Sequence, residues 1–165
     1  MPSLLILGAG QYGYVVYEIA AALRCYDVID FLDDKNPVAV GKLQDYVRLT
    51  EKYDTAIVAT GNPELRLDYL SKLQNAGYKI ATLIHPKAYV SPSCSVGVGC
   101  VVEPLSGIHA NTVIGDGTLV SMGALVNHNA VIKKGCHIDC GSVVTARVVV
   151  PEKTKVSANT VFSET

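Results

Sequence analysis

Four histidines occur in the chain, at positions 85, 109, 128 and 137, and one of them stands where an imidazole could act as a base. His128 lies in the stretch Val126-Asn127-His128-Asn129, at the third place of a six-residue unit and on a turn of it. Its counterparts eighteen positions away on either side are Ala110 and Ala146. Two small residues flanking a polar imidazole leave space for a ligand, and a histidine on such an edge can serve as a general base near neutral pH. On this pattern alone a solvated turn histidine is the simpler account.

A second candidate site is the run Gly8-Ala9-Gly10-Gln11-Tyr12-Gly13. It follows the strand-like Leu4 to Leu7 and precedes Val15, Val16, Ile19, Ala20 and Leu23, an apolar face at helical spacing. Glycines there let the backbone approach a phosphate, while the helix that follows presents free amide donors and the positive end of its dipole. Asp33-Asp34 lies about twenty residues on, where a ribose or base contact is expected, and Gly61-Asn62-Pro63 adds a second loop at the same sheet edge. The competing account is structural: the glycines tighten a turn and the aspartates start a polar loop. About eighty residues are too few for a full NAD site.

No metal centre is expected. His109, His128 and His137 fall in different places of their hexads and supply no repeated pair for zinc shared between subunits. Cys94, Cys100 and Cys136 occupy a small-residue row, and Cys25 and Cys140 show no zinc-ligand spacing, so reduced core cysteines are the favoured reading.

The element that must position His128 is set by period. From Ile84 to Val156 an isoleucine or valine returns every sixth residue without a slip, and four places after each stands a small or modest side chain such as Ala88, Ser106, Ala130 or Ser142. Six fits neither an amphipathic helix nor a free strand of period two. It is the repeat of a hexapeptide β-helix, whose coils bury one another's aliphatic rows. With three hexads to a triangular coil, residues eighteen apart stack, and the stack of about four coils rises roughly 20 Å.

Residues 1–82 follow a different grammar. Strands are predicted at Leu4 to Leu7, Val28 to Leu32, Ala56 to Ala59 and near Ile80 to Leu83, with helices after the first and third, the second ending near Gly77. Strands alternating with helices argue for a small parallel α/β domain, Rossmann-like in layout. The β-helix then spans 83–165. With 49% hydrophobic residues the chain has material for a real core, and fourteen Lys+Arg against fifteen Asp+Glu give no electrostatic footprint for nucleic acid or an anionic membrane. The start of the chain has no basic leader and no apolar stretch of spanning length, so a cytoplasmic protein with no membrane insertion is expected.

Taken together, certain pieces are similar to a known family. Leu5 to Gly13 with Val15-Val16, Phe31-Leu32-Asp33-Asp34, Ala59-Thr60-Gly61-Asn62 with Arg66, Leu83-Ile84-His85-Pro86, and above all Asn127-His128-Asn129-Ala130-Val131-Ile132 followed by His137-Ile138 carry the likeness. Over nearly its whole length the chain resembles the bacterial hexapeptide-repeat sugar acetyltransferases, among them the UDP-amino-sugar N-acetyltransferase of bacillosamine synthesis and the sialic acid O-acetyltransferases. The resemblance implies a left-handed β-helix, a homotrimer, and sites in the clefts between neighbouring helices. It further implies that the N-terminal domain holds the nucleotide of a UDP-type sugar through Gly8, Gly10, Gln11, Tyr12, Gly13, Asp33, Asp34, Gly61 and Asn62, and that acetyl-CoA is the cosubstrate. His128 then looks like the general base, His137 like an acetyl-CoA contact, and the Ala146 amide like the donor for the thioester oxygen.

The sequence departs from the family in three places at this site. Asn129 stands where an acidic residue usually follows the base, Ala146 stands where glycine is frequent, and Gln11-Tyr12 replaces the common Gly-His. Arg147 falls one coil above Asn129, where a cation disfavours imidazolium or holds a phosphate. The chain ends just after the thirteenth hexad, where many relatives continue, so weaker acetyl-CoA binding is expected. The reading adopted is an acetyl-CoA-dependent acetyltransferase acting on an amine, or else a hydroxyl, of a nucleotide-linked or free sugar. Its rival is a noncatalytic trimeric module that binds a nucleotide sugar.

Overall fold

The structure, a computed structural model, describes residues 2–163, and the chain divides into two compact units at Leu83/Ile84. In the first, β1 (Ser3–Leu7), β2 (Val28–Leu32), β3 (Thr55–Val58) and β4 (Lys79–Ile80) form one parallel sheet in the order β2-β1-β3-β4. Helix α1 (Gln11–Leu23) follows β1 and helix α2 (Pro63–Asn75) follows β3. Leu4 to Leu7 are almost wholly buried, which explains their unbroken apolar run: a central parallel strand is covered on both faces. Leu7 pairs with Leu32 on one side and Val58 on the other, so β1, β2 and β3 end at one edge and release the three loops at Gly8, Asp33 and Ala59 together.

Two features of this unit differ from the sequence reading. The segment near Ile80 to Leu83 is not one strand: β4 stops at Ile80 and a separate strand runs Leu83–Ile84, the first in this sheet and the second in another. A short 3₁₀ helix at Leu43–Arg48 went unseen because its apolar residues are too few to show a period.

The second unit is a left-handed parallel β-helix of two-residue strands. Its first face stacks Leu83–Ile84, Val101–Val102, Leu119–Val120, His137–Ile138 and Lys155–Val156. The second stacks Tyr89–Val90, Gly107–Ile108, Leu125–Val126, Val143–Val144 and Val161–Phe162. The third stacks Ser95–Val96, Val113–Ile114, Val131–Ile132 and Val149–Val150. Every pairing joins residues eighteen apart, as the hexad count requires.

Both rows of the repeat point inward. Ile108, Val120, Ile132, Ile138, Val144 and Val150 are fully buried, and so are Thr112, Thr118, Ala124, Ala130, Cys136 and Ser142 of the small-residue row. Polar members of that row spend their donors on carbonyls: Ser106 and Ser142 hydroxyls on Glu103 and Asp139, 2.6 Å each, and the Cys136 thiol on Pro151, 3.0 Å. All five cysteines are free thiols, Cys100 and Cys136 buried, Cys25 and Cys140 exposed.

A third row does not show in the sequence as a residue type. Three places after the aliphatic residue, at 99, 105, 111 and every sixth position to 159, the backbone has positive φ, between 55° and 72°. Five of these are glycine (Gly99, Gly117, Gly123, Gly135, Gly141) and three are asparagine (Asn111, Asn129, Asn159), the two residues that enter this region most readily. Leu105, Arg147 and Lys153 do so against their steric preference.

Because the aliphatic row is the core, Ile132→Ala is expected to cost about 2–5 kcal/mol of stability, whereas the exposed neighbour change Lys133→Ala should stay within about 0.5 kcal/mol. Urea unfolding of both variants checks the difference.

Candidate active site

At the carboxyl edge of the first unit's sheet, Gly8, Gly10, Asp33, Thr60, Leu65 and Tyr69 line a cavity of about 220 Å³. Its three signature glycines are not equivalent. Gly8 has φ +111°, and a Cβ there would meet the Ala59 carbonyl oxygen at 2.7 Å; a Cβ on Gly13 would collide with the Gly8 carbonyl. The fold itself demands these two. Gly10 has φ −76°, and a Cβ there would meet nothing within 4 Å. Gly61, in the neighbouring loop, is equally unconstrained.

The helix that opens behind these glycines is uncapped. Gly10 is the N-cap of α1 and has no side chain to cap it, and the first turn carries no acidic residue. By contrast α2 is closed: the Asn62 carboxamide oxygen accepts from Leu65 N at 2.9 Å and Pro63 occupies the first turn. A helix start without a capping side chain presents its amides to an anion, and in this unit α1 is the helix that starts so.

Asp33 is committed to the loops. Its carboxylate accepts from the amides of Ala9 (2.8 Å), Lys35 (2.8 Å) and Asn36 (2.9 Å), and the bond from Ala9 is the largest influence holding its pKa below the usual carboxylate value of 3.8. Asn36 in turn donates to the Ala9 carbonyl at 2.6 Å. Asp34 is exposed and accepts from Leu43 N at 3.1 Å. The Arg66 side chain is fully buried and donates to the Thr60 carbonyl at 2.7 Å, fixing the third loop. Gln11 is exposed and Tyr12 half-buried in the first turn of α1.

In the β-helix, the corner between the second and third faces carries His128. Asn129 turns the corner with φ +57°, and its carboxamide lies 2.9 Å from His128 Nδ1. The carboxamide Nδ2 is the atom that faces the ring, and there its N–H donates to Nδ1; a lone pair at Nε2 requires the carboxamide reversed end for end, so that its oxygen accepts from Nδ1–H. The His128 amide donates to Asn127 Oδ1 at 2.8 Å. One coil on, Arg147 N donates to the His128 carbonyl at 3.1 Å, which sets Ala146 directly over His128 and Arg147 over Asn129. Among the described residues the Ala146 amide has no acceptor and the Arg147 side chain no ion pair, and Arg147 is exposed.

His137 lies elsewhere. It is the outward residue of a first-face strand, across the triangular section from the His128 corner, with Nε2 at 3.0 Å from Ser121 Oγ and 3.6 Å from Asp139 Oδ1. Asp139 also pairs with Lys155 at 3.0 Å. The residue that sequence reasoning left out is His109, whose ring centroid is 6.0 Å from that of His128, at 54° between planes. The signal was present: 128 minus 109 is one coil plus one residue. His109 also lines a cavity of about 560 Å³ over the second face, with Lys87, Tyr89, Leu105, Leu125 and Asn127. Among the described residues no cluster of three or more His, Cys, Asp or Glu is placed to hold a metal.

These two units, an α/β sheet with an open helix start and a left-handed β-helix with a histidine on one corner, define a class of protein that known chains share. Residues 3–73 match the family model described as the PglD N-terminal domain. The acetyltransferase domain of PglB from Neisseria gonorrhoeae FA1090, solved with acetyl coenzyme A, is 31% identical over 97% of this chain and 81% of that one, with a TM-score of 0.94. PerB from Caulobacter crescentus, solved with CoA and GDP-perosamine, is 26% identical over 99% of this chain and 89% of that one, with a TM-score of 0.82. WeeI from Acinetobacter baumannii AYE, 17% identical with a TM-score of 0.62 over 93% of both chains, shares the fold. The chain belongs to the hexapeptide-repeat sugar acetyltransferases.

The Asp33 arrangement yields a stability test. A carboxyl whose folded pKa is depressed contributes stability that is complete above its unfolded pKa and is lost as pH falls through the folded one. Asp33→Asn is therefore expected to cost about 1–3 kcal/mol at neutral pH, with the gap to wild type closing as pH falls below 3.8, the ordinary carboxylate value. Urea titrations at neutral and acid pH measure it.

Proposed function

We propose that the protein transfers the acetyl group of acetyl-CoA directly to an amine of a nucleotide-linked sugar, with His128 as general base. The observation that carries this reading is the column at the corner between the second and third faces: an imidazole contacted at Nδ1 by Asn129, beneath a backbone amide at Ala146 that has no acceptor among the described residues. A base and an oxyanion donor one coil apart are the two groups that acyl transfer needs. His128 Nε2 removes a proton from the acceptor nitrogen as it attacks the thioester carbonyl, the Ala146 amide stabilises the oxyanion, and His128 returns the proton to the departing sulfur. No acyl-enzyme forms, and the buried cysteines take no part. The donor is supported by PglB, solved with acetyl coenzyme A, and the acceptor class by PerB, solved with CoA and GDP-perosamine.

In this reading residues 1–82 bind the nucleotide and 83–165 the acetyl-CoA. The diphosphate lies at the open start of α1, against Gly8, Gly10, Gln11, Tyr12 and Gly13, with Gly61 and Asn62 in the adjoining loop and Asp33 and Asp34 shaping the floor. Gly10 supports this: the fold tolerates a side chain there, so its absence serves something other than packing. Arg147 offers a cation for a phosphate of the cosubstrate. His137 can serve a site containing His128 only if it comes from another copy, since the two occupy opposite sides of one β-helix. A homotrimer with shared clefts supplies that second copy.

His128→Ala should lower thiol release from acetyl-CoA, assayed with a panel of UDP-amino sugars, by at least about 100-fold; retained activity would refute the base. Asn129→Asp adds a charge that favours imidazolium, and the acidic limb of the kcat/KM profile should move to higher pH. Gly10→Val should weaken UDP binding at least about tenfold by calorimetry, because it fills the approach to the α1 amides, yet leave the melting temperature within a few degrees of wild type. Calorimetry that shows UDP binding but no acetyl-CoA binding would favour the noncatalytic module.

A further inference from the structure

The proton count of amine acetylation asks for more than one base. An amino sugar near neutral pH is largely an ammonium ion, and the balanced reaction is R–NH₃⁺ plus the thioester giving R–NH–CO–CH₃, CoA–SH and one free H⁺. Nitrogen loses two protons. One ends on the CoA sulfur and the other must leave the site before the nitrogen lone pair can attack. His128 can carry one of them at a time, and its proton is the one returned to sulfur. A hydroxyl acceptor has no such surplus, because its single proton passes through the base to the sulfur.

We propose that His109 takes the first proton from the acceptor ammonium and releases it to solvent, leaving His128 to take the second during attack. This inference rests on the reading of His128 as the base. The two rings are neighbours at one corner, with centroids 6.0 Å apart. His109 is held through its backbone, its amide donating to the Val126 carbonyl at 2.9 Å and its own carbonyl accepting from the Cys94 thiol at 2.9 Å. Its ring makes no hydrogen bond among the described residues, is exposed, and borders the cavity of about 560 Å³. A proton accepted there therefore has water to go to. The column above and below it is neutral, Asn127 and Ser91. The titratable and charged groups around it are His128, Cys94 beneath, Lys87 and Tyr89 in the lining of the cavity, and Arg147 one coil beyond Asn129. None is a carboxylate that would trap the proton.

The assay uses the full-length protein, acetyl-CoA, and whichever UDP-amino sugar of the panel the wild type turns over best. His109→Gln keeps a polar side chain that cannot carry a proton, and His109→Ala removes the group. Both should melt as the wild type does, since the ring is exposed. At about pH 6.5, below the acceptor amine's own pKa, kcat should fall about 100-fold in each variant. Well above that pKa the amine arrives neutral and both should approach wild-type rates, with the acetyl-CoA KM unchanged throughout. Added imidazole should restore the low-pH rate in His109→Ala. Profiles that superimpose on the wild type, or a loss equal at every pH, overturn the proposal; the first denies His109 a role and the second leaves it a packing role. If wild type is active, His128→Ala is dead and His109→Gln is unaffected, this inference alone falls. If His128→Ala stays active, or no panel member is turned over, the inference falls with the function it rests on.

Discussion

From the hexad that begins at Val96 onward, each turn of the β-helix bends through one residue with a left-handed backbone, without interruption from position 99 to 159. The constraint matters more than the aliphatic row it accompanies. Apolar residues drive collapse but do not fix which residue lies over which; a turn of constant shape does, by making every coil the same length. The identical bend gives the eighteen-residue register, and the register places Ala110, His128 and Ala146 in one column. Asn129 serves both purposes. Its backbone supplies the bend, which asparagine enters more readily than most residues, and its side chain holds the His128 ring. A histidine beside a turn residue of another type would have the position without the orientation.

The aliphatic period was legible because thirteen valines and isoleucines in one frame leave no other secondary structure that can bury them all. The unit of α and β elements was legible for a similar reason: Leu4 to Leu7, Val28 to Leu32 and the loops after them carry strand and turn signals that agree with one another. The left-handed row escaped because glycine, asparagine, leucine, arginine and lysine share no hydropathy, only a tolerated or enforced conformation. His109 escaped for a geometric reason. Reading straight up and down the columns finds residues eighteen apart, whereas side chains at a corner also meet along the diagonal, and 109 and 128 are nineteen apart. The double strand at Lys79–Ile80 and Leu83–Ile84 read as one because Ile80, Ala81, Leu83 and Ile84 are all apolar and the change of sheet between them has no residue type of its own.

The glycine signature of the first unit shows how a motif can be structural and functional in different letters. Gly8 and Gly13 are explained by backbone contacts within the fold, and Asp33 by three loop amides that need an acceptor. A sequence match cannot separate these from Gly10 and Gly61, whose missing side chains face open space. The distinction favours the residues that the protein does not need for itself as the ones a ligand needs. It also explains why the bare motif is weak, since most of its letters would be kept by a sheet that bound nothing.

The placement of His137 carries the same logic to the level of assembly. Within one chain it belongs to the first face, bound to Ser121 and near Asp139, while His128 belongs to the corner opposite. No movement of a side chain crosses the packed interior between them, where Ile132, Ile138 and Val144 are fully buried. Under the proposed function the two histidines therefore meet only across a boundary between copies, and a single β-helix holds two halves of different sites rather than one site. The rigidity of the coil stack becomes an advantage in that arrangement. Under the proposed function, a stiff corner would hold its imidazole at a fixed height against the face of a neighbouring copy, so that the geometry of catalysis would follow from the register of the repeat.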